Sequence, residues 1–382
     1  SLLNKLIRFS ASLRGSRQYK YARRGEIVDM VEQLGLPTFF LTFSPADLEW
    51  GSLHRAIEAL GPEGSGRAGP QLPEPSDNSR EDRERRLIEN PHVAAAYFVR
   101  RMNTYLSTVL KRGFRVRDWY GVYEWQQRGS PHCHMLVWIE EAPDADRAFQ
   151  TKDPEVLTRL RAFFDRYVTA WNPDPGFPSR AEIDAAVDKH PTKFLRNMRY
   201  PPETRPAPEE AHPCAASFTE AESSNPALDL VHLLNLCNRH RCRIKYCGAQ
   251  RSRRGDQTTC TRCRHRFPKA VRTTSAFLYD EKRHVRYHPE TNDVWLNKFN
   301  EDLIRSWRAN IDISPITSMG GLIGYLCKYI LKAETRTSFL NELEDLLHRQ
   351  EQRRPFTSIE QACKKVLRES TADRGYSAQE VM

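Results

Sequence analysis

No apolar run in the 382 residues approaches the roughly 18–20 that a membrane span needs, which excludes an integral membrane helix. The N-terminus, SLLNKLIRFSASLRGSRQYKYARR, lacks the apolar stretch and small-residue cleavage site of a secretory signal, so secretion is not expected. Cysteine is scarce: nine residues, five of them crowded into positions 237–263. That distribution excludes a disulfide framework and points to metal ligation in a reducing compartment. No internal repeat is visible. Acidic residues are outnumbered, 49 against 59 Lys and Arg, giving a net charge of +10 and a pI near 9.2. That balance favours an acidic polymer as partner. A hydrophobic content of 39% is enough to bury a sizeable core. At about 100–200 residues per domain, the length suggests two or three domains.

The chain divides by composition. Residues 1–36 form a basic segment whose end, EIVDMVEQLGL, has helical spacing and stops at Gly35-Leu36-Pro37. Thr38 to Phe43 is β-rich and closed by Ser44-Pro45. Residues 61–86 are rich in Gly, Pro and charge, and read as a flexible insert. Residues 90–112 read as one long helix, with Asn90 as cap and Pro91 in the first turn. Residues 153–172 are helical in pattern, and 199–226 read as a linker. Three short β-like runs follow, SAFLYD, HVRYH and DVWLNKF. TSMGGLIGYLCKYILKA (317–333) reads as a helix after a Gly-Gly turn, and residues 339–382 as a charged helical tail.

The segment WYGVYEWQQRGSPHCHMLVWIEEAP places two β-rich runs around Arg128-Gly129-Ser130-Pro131, a β-hairpin pattern. His132 and His134 are two apart on its second strand, so their imidazoles share a face. With the turn centred on Gly129, Gln126 falls opposite His132 and Glu124 opposite His134. Two nitrogens and an oxygen with open positions suit Mg²⁺ or Mn²⁺ as a Lewis acid. The same histidines would also fit an ordinary half-exposed strand.

Tyr325 and Tyr329 are four apart in a helical pattern and share a face; Lys328 and Lys332 share a neighbouring one. A tyrosine hydroxyl can attack phosphorus, with lysines stabilising the developing charge. Alternatively, both rings pack in the core and both lysines are solvated.

The block CNRHRCRIKYCGAQRSRRGDQTTCTRCRHRFPK offers Cys237, His240, Cys242, Cys247, Cys260, Cys263 and His265 as ligands. Cys242, Cys247, Cys260 and Cys263 have the C-x4-C-x12-C-x2-C spacing of a structural zinc site, but the surplus leaves the four ligands open. Eleven Lys/Arg face one acidic residue, Asp256, over 237–269, a density suited to phosphate. The DNA-contact candidates are Arg128, Arg251, Arg253, Arg254, Arg264, Arg266 and Lys269.

These stretches together resemble the Rep nuclease portion of Helitron rolling-circle transposases, of the HUH endonuclease superfamily. GLPTFFLTFSPADLEW resembles its first strand, and EWQQRGSPHCHMLVWI its histidine hairpin, with Cys133 where a bulky apolar residue is usual. RHRCRIKYC with CRHRFPK resembles its zinc insert, which implies His240, Cys242, Cys247 and Cys263 as ligands and leaves Cys237 and Cys260 as extras. NDVWLNKFNEDLIRSWRANIDISPI and GYLCKYILKAE resemble the stretch ending in its paired tyrosines.

The resemblance implies an α+β fold: a central antiparallel sheet of HUH type, flanked by helices, with a zinc-binding insert. It divides the nuclease into halves at 37–198 and 275–338, around a linker and insert at 199–274. It implies metal-dependent nicking of single-stranded DNA and strand transfer through a 5′-phosphotyrosine. The alternative is a non-catalytic DNA-binding protein derived from such a transposase. The family's helicase would carry a G-x-x-x-x-G-K-[ST] loop, absent from this sequence, so a helicase is expected in cis in a longer protein. The expected compartment is the nucleus in a eukaryote, otherwise the cytoplasm.

Overall fold

The computed structural model describes residues 17–60, 79–125, 130–186, 212–241, 247, 263, 265–280, 284–318 and 322. Helix α1 is Arg17–Leu34, ended at Gly35, whose φ of 78° favours glycine. Strand β1 (Phe39–Phe43) follows, then α2 (Gly51–Leu60), α3 (Arg80–Glu89) and α4 (Pro91–Tyr105). Strands β2 (Val116–Trp125) and β3 (Pro131–Ile139) form the hairpin. Then come α5 (Ala145–Thr151), α6 (Pro154–Tyr167), α7 (Arg180–Ala185), α8 (Phe218–Ser224) and α9 (Pro226–Leu233). A two-stranded β4–β5 ribbon (Ala276–Tyr279, Val285–His288), α10 (Glu301–Trp307) and β6 (Ile311–Pro315) complete the described elements.

The main sheet has four strands in the order β2-β3-β1-β6, all antiparallel. Strand alternation explains its two faces. Phe39, Leu41 and Phe43, Cys133, Met135 and Val137, and Ile311 and Ile313 point into the large core. There Trp307 of α10 is fully buried and meets Phe43, Trp50, Phe98 and Tyr105 edge-on, at centroid distances of 5.1–5.7 Å. On the opposite face, Phe40, Leu136 and Trp138 pack with Ile27 and Val31 of α1. Helix α1 thus covers one end of that face. The other end carries Thr42, Glu124, His132 and His134.

Several sequence expectations change. The helix expected over 90–112 is α only to Tyr105 and continues as a π-helix, Leu106–Gly113. Asn90 does precede α4, but makes no side-chain cap bond; its Nδ2 donates to Arg86 O and closes α3 instead (3.1 Å). Part of the expected 61–86 insert is helical, because Ser79 caps α3 by accepting from Asp82 N at 3.1 Å. The expected 153–172 helix ends at Tyr167. The linker region contains α8, opened by a Ser217–Glu220 capping box. DVWLNKF is not a strand: Leu296 and Phe299 make only isolated bridges. Among the described residues, no helix is long and apolar enough to cross a membrane.

His288, at the end of β5, gives a pH prediction. Burial, then the charges of Arg272, Lys298, Lys269 and Arg286, push its imidazole down to about 4. The fold therefore holds it neutral, while the unfolded chain takes a proton near pH 6.5. The unfolded state binds more protons between these values, so stability falls as pH drops from 6.5 to 4. Urea unfolding of His288→Gln should show a shallower loss over that window than the native chain.

Candidate functional site

The hairpin register differs from the expected one. Glu124 lies opposite His132, Val122 opposite His134, and the last pair is Trp125–Pro131. Pro131 supplies no N–H to extend the ladder beyond this pair. The slip is two residues, so Glu124 keeps its face. It reaches His134 diagonally: Glu124 Oε2 is 2.8 Å from His134 Nε2. Gln126 and Arg128 lie outside the described residues.

Strand β1 orients both rings. His134 Nδ1 lies 3.1 Å from Thr42 Oγ1, and His132 Nδ1 lies 3.1 Å from Ser44 Oγ. Ser44 spends its one proton on Asn310 Oδ1 (3.2 Å), so its oxygen accepts from His132 Nδ1–H. Asn310 is held in turn by donating Nδ2 to Cys237 O (3.0 Å) and Asn238 Oδ1 (2.8 Å). The relay gives His132 its Nδ1–H tautomer and leaves the lone pair on Nε2, the arrangement of a metal-ligating histidine. The two rings stand 6.4 Å apart at 26°. Ser130 donates to Asp47, whose charge also acts on His132.

The electrostatics agree with a neutral ligand. Burial, reinforced by His134, pushes the His132 imidazole down to about 4, against the opposing pull of Glu124 and Asp47. Two imidazole nitrogens and a carboxylate are donors that could hold a divalent ion. Burial pushes the Cys133 thiol, between the two histidines but on the core face, up to about 12, so it is no nucleophile. Burial likewise raises Tyr123 to about 12.

Among the described residues, two Cys/His groups bring their donor atoms within 4.8 Å of one another, and the set of His132, His134 and Glu124 is not one of them. The first group is His240, Cys247 and Cys263. His240 Nε2 lies 3.4 Å from Cys247 Sγ and 3.3 Å from Cys263 Sγ. Phe267 stacks on the His240 ring at 4.3 Å, and His265 N donates to Cys263 Sγ (3.4 Å). The imidazole of His265 is beside His240 but outside the group. The second group is His212, Cys214 and Cys237. A metal such as zinc suits these N/S donor sets.

The remaining sequence candidates divide in two. Arg266 and Lys269 are described: Arg266 at the exposed turn, Lys269 donating Nζ to His265 O (3.0 Å). Burial and neighbouring Lys298 push Lys269 down to about 8. Tyr325, Lys328, Tyr329, Lys332, Cys242, Cys260, Arg251, Arg253, Arg254 and Arg264 lie outside the described residues. Sequence reasoning missed Thr42, Ser44, Asp47 and Asn310. The Thr-x-Ser alternation at the end of β1 is the one local signal that pointed to two of them.

The sequence model of the family described as "Helitron helicase-like domain at N-terminus" matches residues 1–137. The match includes β1, β2 and the His132–His134 stretch of β3. No curated protein matches the chain.

Proposed function

From the Helitron-like first 137 residues and the histidine pair inside them, we propose that the chain is an HUH-type nuclease of a rolling-circle transposase. It nicks single-stranded DNA and transfers the strand through a 5′-phosphotyrosine. The observation that carries this reading is the pair of hydroxyl-oriented imidazoles with Glu124 on one sheet face.

His132, His134 and Glu124, with Gln126 as a further candidate, would hold Mg²⁺ or Mn²⁺. Such an ion, when bound, polarises the scissile phosphate's oxygens. Tyr325 or Tyr329 attacks phosphorus through its phenol oxygen. The P–O3′ bond breaks, its electron pair stays on O3′, and the phenol proton is made up there as a 3′-OH. Lys328 and Lys332 stabilise the added charge on the phosphate. The second tyrosine serves a second cleavage or the strand transfer.

Zinc would be held by His240, Cys247, Cys263 and a fourth ligand such as Cys242 or Cys260, and Arg128, Arg251, Arg253, Arg254, Arg264, Arg266 and Lys269 contact the DNA backbone. The partners are the single-stranded transposon ends and target, and a helicase in cis. The nucleus is the working compartment in a eukaryote.

The test is a denaturing gel of labelled single-stranded DNA incubated with the protein and Mg²⁺ or Mn²⁺. A metal-dependent adduct that survives denaturant, and is lost in Tyr325→Phe or Tyr329→Phe, is the expected result and names the first nucleophile. Tight binding without adduct selects the non-catalytic DNA-binding protein. Cleavage without adduct, retained in the double Tyr→Phe variant, selects a hydrolase using water.

A further inference from the structure

The second Cys/His group belongs to no step of the proposed chemistry. It joins two segments. His212 and Cys214 sit in the loop before α8, and Cys237 lies in the π-helix Leu234–Asn238 that extends α9. Cys214 Sγ and Cys237 Sγ are 3.2 Å apart, and the His212 donor lies within 4.8 Å of both. The Cys214 amide donates to His212 Nδ1 at 3.2 Å. That bond puts the ring's lone pair on Nδ1, so an ion would take this nitrogen in place of the amide proton.

The surroundings fix these donors before any ion arrives. Arg308 Nη2 donates to Pro213 O, in the middle of the loop. The same guanidinium grips Asp229 of α9 through two bonds, at 2.6 and 2.8 Å. Asn310 holds Cys237 O. Cys214 is buried, while His212 and Cys237 are half-buried, so one side of the group is open to solvent. Two sulfurs and an imidazole nitrogen are the donors that select zinc over the hard, oxygen-seeking ions. The group shares no residue with His240, Cys247 and Cys263.

We propose that His212, Cys214 and Cys237 form a second zinc site, separate from that of the Cys/Arg-rich insert, with three protein ligands and a fourth position open to water. The two thiols lose their protons to solvent on binding, so the site carries no net charge and no oxidant is consumed. Zinc there staples the loop before α8 to the segment that supports Asn310, and hence Ser44 and His132.

The test is zinc content per chain of the full 382-residue protein, purified under reducing conditions, by elemental analysis. Cys214→Ser and Cys237→Ser should each hold one zinc fewer than the native chain, and Cys247→Ser should lose a different one. The Cys214→Ser, Cys247→Ser double variant should then fall two short. Zinc content unchanged in Cys214→Ser and Cys237→Ser overturns the proposal. So does a non-reducing thiol count showing these two cysteines joined in a disulfide with zinc content unaffected. Should Cys214→Ser fail to fold, cobalt is loaded into Cys247→Ser instead. A thiolate-to-cobalt charge-transfer band there supports the site, and its absence overturns it.

Discussion

Replacing His132 or His134 by alanine should reduce metal-dependent strand cleavage by about 10³-fold or more. The estimate follows from the several kcal/mol a Lewis acid contributes to a phosphoryl transition state, at ~1.4 kcal/mol per decade of rate. Binding of single-stranded DNA should change only a few-fold, since affinity comes mainly from cations on the phosphate backbone. Initial cleavage rates with Mg²⁺ or Mn²⁺, beside filter binding at one fixed salt concentration, separate the two effects. Parallel loss of cleavage and binding would mean that the pair is structural. Ser44→Ala is the subtler companion. It leaves every ligand in place but removes the acceptor that sets the His132 tautomer. Loss of such an orienting partner costs roughly 10–100-fold in metal affinity or activity. Excess metal should rescue an affinity defect, and would not rescue a lost ligand to the same degree.

The largest stability effect should come from Asp229→Ala. Arg308 is buried, takes a left-handed backbone conformation (φ 61°), and has Asp229 as its two-point partner. Removing the carboxylate strands a buried guanidinium, which costs about 3–5 kcal/mol. Chemical denaturation at neutral pH should register that loss as a lower midpoint with little change in slope. The pair itself is a weak source of stability, because both charges were taken out of water to make it. The double variant Asp229→Leu, Arg308→Met should therefore recover much of what Asp229→Ala loses. A double variant as unstable as the single one would show instead that the Arg308 bond to Pro213 O matters more than the charge balance.

The local parts of the site were readable in the sequence. A hairpin with two histidines at strand spacing needs only period-two alternation and a turn signal, and the structure places both rings on one face. Register was not readable to the residue. The number of turn residues depends on where Pro131 ends the ladder, and a two-residue slip leaves every face unchanged. The relay from Ser44 to Asn310 was invisible, since its members are 266 positions apart and nothing local marks them as neighbours. The same holds for β6, whose five residues, IDISP, carry too little pattern of their own. Helix α2, GSLHRAIEAL, was missed although its apolar positions Leu53 and Ile57 are four apart, because the neighbouring Gly- and Pro-rich stretch dominated the reading. Cysteine crowding identified a metal-rich region, but only folding could divide it into two groups, one of which recruits His212 and Cys214 from upstream.

The position of β6 at the sheet edge bears on when the histidine pair is completed during synthesis of the chain. Strand β1, with Thr42 at its end, pairs with β3 on one side and β6 on the other. Residues 39–139 therefore leave the ribosome long before Ile311–Pro315. Until then β1 has an unpaired edge, the core lacks Trp307, and Ser44 lacks Asn310. A nascent chain holds both histidines early but cannot orient His132 until its last described strand has been made.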